Sequence, residues 1–128
     1  MSPLSQHINK SEVLAKAAWK TAEQLGLKPE QFIKILHLEG GDSDLSELQM
    51  LDPSSQQGEI ALILIRIYKA IYSLNGGDID WMHHFLNSPN LLTGGVPIKQ
   101  MESMSGLHSV LQTVEYLRKR PLNPMPIF

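Results

Sequence analysis

Apolar residues recur at helical spacing from Ser11 onward. They are separated by four, four and three positions, which places them on one face of a helix, and Lys16 and Lys20 lie on the opposite face. The apolar residues of this face are Leu14, Ala18, Ala22 and Leu25. Gly26 supplies a left-handed stop, and Pro29 suits the first turn of a second helix.

The second predicted helix is short, because Gly40 and Gly41 follow its inward-facing residues and are expected to end it. A third short helix is then expected from Asp44, which has N-cap chemistry. Glu47 follows three positions later, as in a capping box. An Asp-Pro pair at positions 52–53 ends this third helix.

Residues 60–74 could form either a helix or a strand, because their isoleucines would also suit a buried strand. About fifteen residues without a turn signal is long for a strand, where 4–8 is usual. A helix also collects the polar residues on one stripe, whereas a strand would scatter them over both faces. These polar residues are Glu59, Arg66, Lys69 and Ser73. We predict a helix nearly surrounded by protein, and its large apolar surface predicts a homodimer.

Turn residues divide the remaining sequence into further helices. An Asn-Gly-Gly run stops the long helix at positions 75–77, and Asp78 caps the next helix. Turn chemistry follows from Ser88, and Pro97 is placed to start another helix. After Gly106 comes the clearest helical pattern, which ends at basic residues and Pro121. Its apolar positions are Leu107, Val110, Leu111, Val114 and Leu117. The predicted fold is all-α.

Composition narrows the class of protein. The chain has 128 residues, of which 42% are hydrophobic, so a packed core can form. A net charge of −2 gives no overall basic footprint for nucleic acid, and the absence of cysteine excludes a thiol nucleophile and Cys-ligated zinc. The N-terminus lacks the apolar run of a signal peptide, and the longest apolar run, 60–65, is too short to span a bilayer. We expect a cytoplasmic protein without a membrane partner.

Three stretches, taken in order, resemble one family. Residues 15–36 resemble the start of an Xre-like helix-turn-helix, and residues 58–71 match a central linking helix. The C-terminal stretch has a helix bearing Trp81, the turn Pro89-Asn90-Leu91-Leu92-Thr93-Gly94-Gly95-Val96-Pro97 and a final V-x-x-x-L helix. That stretch is similar to the toxin-binding domain of Xre/MbcA/ParS antitoxins, whose turn reads PN-x-x-L-G-G-x-x-P.

The resemblance implies an architecture and a function. It implies a degenerate Xre-like helix-turn-helix region at 1–57, a linking helix at 58–77 and a toxin-binding domain with a proline-rich tail at 78–128. The implied function is that of a type II antitoxin, which binds and occludes a RES-domain toxin that degrades NAD⁺. Dimerisation and autoregulation of the operon are also implied. The predicted toxin-binding residues are Asn90, Gly94, Gly95, Pro97, Arg118, Arg120, Ile127 and Phe128.

The turn departs from the family pattern, with Thr93 in place of a leucine and Pro97 one residue early. Its glycines have two interpretations. Gly94 and Gly95 can take positive φ or let a partner's backbone approach closely, and Asn90 can bond its own turn. The alternative is a tight connection between helices that contacts no partner.

The charges of the region that would read DNA make DNA binding doubtful. In the region equivalent to the recognition helix, 40–48, the sequence offers carboxylates, and no Lys or Arg occurs between Lys34 and Arg66. Affinity for DNA depends on phosphate neutralisation, so an acidic, solvated face is the more natural interpretation. The alternative to the antitoxin hypothesis is a helix-turn-helix transcriptional regulator without a toxin partner.

The tail, residues 121–128, contains three prolines that forbid a helix and favour an extended segment. Its other residues are mostly large and apolar. In the resembled family the C-terminal end lies near the toxin and can obstruct its active-site entrance, which is one interpretation of Ile127 and Phe128. The other is that these two residues pack on the protein's own core.

No pattern predicts an enzyme, a metal site or a cofactor. His83 and His84 are neighbours on a predicted helix and point about 100° apart, so they cannot chelate as i, i+4 histidines do. Paired carboxylates, a nucleophile elbow and a phosphate-binding glycine loop are not found in the sequence.

Overall fold

The computed structural model describes residues 9–38 and 50–119, and within these residues the fold is all-α, as predicted. The helices are α1 (Lys10–Leu25), α2 (Pro29–Leu36), α3 (Gln56–Leu74), α4 (Ile79–Asn87), α5 (Pro97–Gln100) and α6 (Met104–Lys119). The third short helix expected from Asp44 lies outside the described residues. None of the described helices has the length and apolarity that crossing a membrane requires.

Local interactions fix where α1 begins and ends and where α2 begins. The Asn9 side chain accepts hydrogen bonds from the backbone N–H groups of Ser11 (3.0 Å) and Glu12 (3.2 Å), which caps α1. Gly26 ends α1 with a φ of 75°, in the left-handed region, as predicted. Pro29 then opens α2.

The predicted end of α2 is wrong. The helix stops at Leu36, before the glycine pair, because His37 takes a left-handed φ of 58°. Its Nε2 lies 3.0 Å from the carbonyl oxygen of Glu102, between α5 and α6. The Leu38 N–H donates back to the Ile33 carbonyl at 3.1 Å, which completes a C-terminal cap without glycine.

The long helix α3 is the centre of the core and packs mainly against α6 and α1. Its inner side chains are buried, while the predicted polar stripe of Glu59, Arg66, Lys69 and Ser73 is exposed. The exposed face also carries Leu62 and Tyr72, so within one chain α3 is less enclosed than predicted. The large buried apolar side chains of the six described helices join one hydrophobic cluster.

The two central helices begin in the same way. Ser55 caps α3 by accepting from the Gly58 N–H (3.0 Å), and Ser103 accepts from the Gly106 N–H (3.1 Å) at the start of α6. A Cβ at either glycine would lie 1.9 Å from a backbone carbonyl oxygen of the preceding turn. The helix predicted over 107–117 is confirmed, but it begins before Gly106, at Met104, so this glycine lies inside its first turn.

Candidate binding site: the leucine turn

Residues 89–96, which we call the leucine turn, connect α4 to α5 and close on themselves through the backbone. The Asn90 N–H donates to the Gly95 carbonyl at 2.9 Å. In return, the N–H groups of Gly94 and Gly95 donate to the Asn90 carbonyl at 2.9 and 3.2 Å. These bonds form an isolated antiparallel bridge between Asn90 and Gly95. The turn is thereby held as a closed loop rather than an open connection.

The Asn90 side chain fixes the inside of this loop. Its Oδ1 accepts hydrogen bonds from the N–H groups of Leu92 (2.8 Å) and Thr93 (3.2 Å). This is the local bonding that makes asparagine a favoured turn residue. Gly94 then adopts a φ of 88°, a left-handed conformation that costs other residues roughly 1–2 kcal/mol. Asn90 and Gly94 are thus both well suited to the path of the backbone.

Thr93 points into the protein and ties the turn to the following helices. It is buried, and its hydroxyl lies within hydrogen-bonding distance of the carbonyls of Asn90 (3.3 Å) and Gly95 (3.2 Å). The Gln100 side chain on α5 donates to the Thr93 carbonyl at 2.6 Å. The Thr113 hydroxyl on α6 donates to the Leu92 carbonyl at 3.4 Å. Threonine therefore makes bonds here that the leucine of the family pattern could not make.

With the polar groups turned inward, the leucines point outward. Leu91 is 100% exposed and Leu92 is 65% exposed. A shallow groove of about 270 Å³ lies beside them, lined by Pro89, Asn90, Leu91, Gly94 and Gly95. Burial of a leucine side chain contributes about 1.5–3 kcal/mol, so the turn holds two side chains that a partner surface would stabilise.

The structure brings together part of the predicted site. Asn90, Gly94 and Gly95 lie in the leucine turn and make the backbone bonds that close it. Pro97 is buried as the first residue of α5, so it supports the turn from within the fold and offers no surface for a contact. Arg118, in contrast, lines a separate groove between α3 and α6. Arg120, Ile127 and Phe128 lie outside the described residues.

Sequence reasoning missed Leu91 and Leu92, which are the most exposed apolar side chains of the turn. A signal for them was present. Two adjacent leucines stand among asparagine, threonine and glycine, in a segment whose turn chemistry predicts a surface loop. Large apolar residues at such a place are unusual and suggest a contact.

The neighbouring histidines bond in different directions, as their spacing predicts. The Nε2 of His83 lies 3.3 Å from the Gln24 carbonyl at the end of α1, and the Nδ1 of His84 lies 3.4 Å from the Ser88 hydroxyl. Across residues 9–38 and 50–119, no three His, Asp or Glu side chains are grouped as a metal site would need.

No protein-family model matches this chain, and no curated protein matches it.

Proposed function

We propose that this chain is a non-enzymatic binding protein that docks on another protein through the leucine turn, and that it is the antitoxin of a type II toxin–antitoxin system. The observation that carries this proposal is the full exposure of Leu91 on a turn whose polar groups are bonded internally. Among the described residues, the packing of the turn does not use this side chain, and a partner's surface would bury it.

The rigidity of the turn suits recognition. Its backbone is closed by the Asn90–Gly95 bridge and anchored by Gln100, so little conformational entropy remains to be lost on docking. A complementary apolar hollow on the partner would bury Leu91 and Leu92 together. Inhibition would follow from occlusion of the partner's active site, with no reaction at this surface.

The resemblance to Xre/MbcA/ParS antitoxins supports a RES-domain toxin as the partner, since the leucine turn occupies the segment that carries the family's toxin-binding motif. The same resemblance supports a homodimer in the absence of toxin, which sedimentation at micromolar concentration would check. A transcriptional regulator without a toxin is less well supported, because its recognition region at 40–48 is rich in carboxylates. Autoregulation of the operon therefore remains a secondary part of the proposal.

Co-expression tests the proposal. The product of the neighbouring open reading frame should arrest growth by itself, and this chain should restore growth and co-purify with it. The variant carrying Leu91→Ser and Leu92→Ser should fold, by circular dichroism, but should bind at least about a hundredfold more weakly, since two buried leucines are lost. Val13→Ser is the matched control, because Val13 is also an exposed apolar residue, 53% accessible, on α1. A neighbouring product that is not toxic, or that never co-purifies, contradicts the antitoxin proposal.

The same assay separates the turn from the tail. A chain ending at position 120 lacks the proline-rich residues 121–128, which lie outside the described residues. We expect it to fold and to bind the toxin through the leucine turn but to inhibit less, because the tail obstructs the active-site entrance. Full inhibition by the shortened chain would assign neutralisation to the turn alone, and loss of folding would assign the tail to the core.

A further inference from the structure

A second hollow, unrelated to the leucine turn, lies between α3 and α6 and carries a concentrated positive charge. It has a volume of about 420 Å³ and is lined by Arg66, Lys69, Ala70, Ser73, Glu115 and Arg118. Three of these side chains are cations and one is a carboxylate, in a chain whose net charge is −2. We call this hollow the basic groove. Its excess of two positive charges is a local feature that the overall composition conceals.

One cation of the groove is held in a fixed direction. Arg66 donates from Nε and Nη2 to the carboxylate of Glu115, at 2.9–3.2 Å, and keeps Nη1 for another acceptor. Its side chain is 56% exposed. Among the described residues, no carboxylate lies within ion-pair distance of Lys69 or Arg118. The groove therefore offers one oriented donor, Nη1 of Arg66, and two further cations to an anion, and the Arg66–Glu115 ion pair need not break.

An aromatic hollow adjoins the basic groove. It has a volume of about 340 Å³ and is lined by Tyr68, Lys69, Tyr72 and Ser73, so the two hollows share Lys69 and Ser73. The rings of Tyr68 and Tyr72 lie 5.8 Å apart, and Tyr72 is 47% exposed. Gly77 packs against the Tyr72 ring, where a Cβ would lie 2.7 Å from Cζ, so the absence of a side chain at this position allows the ring its place.

We propose that these joined hollows bind a free nucleotide, with its terminal phosphate between Arg66, Lys69 and Arg118 and its base against Tyr72. A phosphate monoester carries up to two negative charges at neutral pH, which matches the excess charge of the groove. Aromatic side chains bind bases through stacking, whatever the base. An inorganic anion would use the cations only, and a long polyanion would meet a chain of net negative charge. This site shares no residue with the leucine turn, so its test is independent of the test of the proposed antitoxin function.

Titration of the full-length protein with AMP tests this site, with inorganic phosphate and a hexanucleotide without terminal phosphate as the other probes. We expect AMP to bind more tightly than either, by isothermal titration calorimetry at low salt. Lys69→Gln and Arg118→Gln should each lower the affinity for AMP roughly tenfold or more, as expected for a bond to a charged group. Tyr72→Leu should lower the affinity for AMP roughly five- to a hundredfold and leave that for phosphate unchanged.

Lys16→Gln is the matched control, because Lys16 is an exposed cation on α1 and its loss changes the net charge equally. An equal loss of binding with this variant would reduce the effect to general electrostatics and overturn the site. Equal affinities for AMP and phosphate, or no response to Tyr72→Leu in a variant that folds by circular dichroism, would also overturn the assignment to a nucleotide. Tighter binding of the hexanucleotide than of AMP would overturn the assignment to a free one.

Discussion

The leucine turn and the α3–α6 helix pair are organised in opposite ways. In the helix pair, apolar side chains such as Ile67 and Val110 are buried and charged side chains such as Arg66 face solvent. In the turn, Thr93 is buried with its hydroxyl bonded to the backbone, while Leu91 is fully exposed. One region is held by hydrophobic burial, and the other is held by hydrogen bonds and left-handed backbone.

This difference distinguishes surface residues that any folded helix pair would have from surface residues that the fold does not require. Charged residues on the outside of a helix pair are expected in any water-soluble fold and carry no information on their own. Exposed leucines on a turn closed by its own hydrogen bonds are not needed for that closure. In the helix pair, only the concentration of charges in the basic groove points to a binding function. In the leucine turn, the exposed apolar side chains do so.

The largest expected effect is at the helix pair. Ile67→Ala removes a fully buried side chain of α3 and should lower the free energy of unfolding by about 2–5 kcal/mol, from lost transfer energy and a cavity. Urea denaturation measures this loss. Lys69→Ala, at an exposed position of the same helix, should change it by no more than about 0.5 kcal/mol. Similar losses for the two variants would contradict the described core.

An intermediate effect is expected at the turn. Asn90→Ala deprives two backbone N–H groups of their acceptor and should lower the free energy of unfolding by about 1–2 kcal/mol. Leu91→Ser should leave stability within about 0.5 kcal/mol, because the side chain is fully exposed. The same denaturation experiment compares the two variants. A Leu91 variant as unstable as the Asn90 variant would mean that the leucine supports the fold.

The smallest effect is a pH dependence at the start of α3. Hydrogen bonds from the backbone N–H of Ser54 (2.9 Å) and from its hydroxyl (2.8 Å) hold the pKa of the Asp52 carboxyl below its ordinary value. A carboxylate with a lowered pKa in the fold contributes stability above the ordinary pKa, and this contribution is lost as pH falls below about 4. Denaturation between pH 7 and 3 should therefore show a smaller acid loss in Asp52→Asn. The equivalent position before α6 is Gln100, which does not titrate, so Gln100→Ala should keep the full acid loss.

The ends of several helices follow from local chemistry, which is why sequence patterns predicted them. Gly26 ends α1 in the left-handed region, Asp78 caps α4 with its side chain, and Pro97 opens α5. Each depends on the conformational preferences of one residue and its nearest neighbours. The polar stripe of α3 was predictable for the same reason, since helical spacing alone places those residues together.

Tertiary structure decides the features that depend on contacts between segments distant in sequence. His37 ends α2 in a left-handed conformation while its ring contacts the carbonyl of Glu102, 65 positions away. Arg118 and Arg66 line one groove between two helices, whereas the family resemblance had grouped Arg118 with the turn among the toxin-binding residues. Leu91 and Thr93 both follow Asn90, and the closed backbone of the turn sends one outward and the other inward. Spacing along the chain determines which helices form, but the direction of a side chain in a turn and the partners of a surface charge depend on the packed positions of residues far apart in sequence.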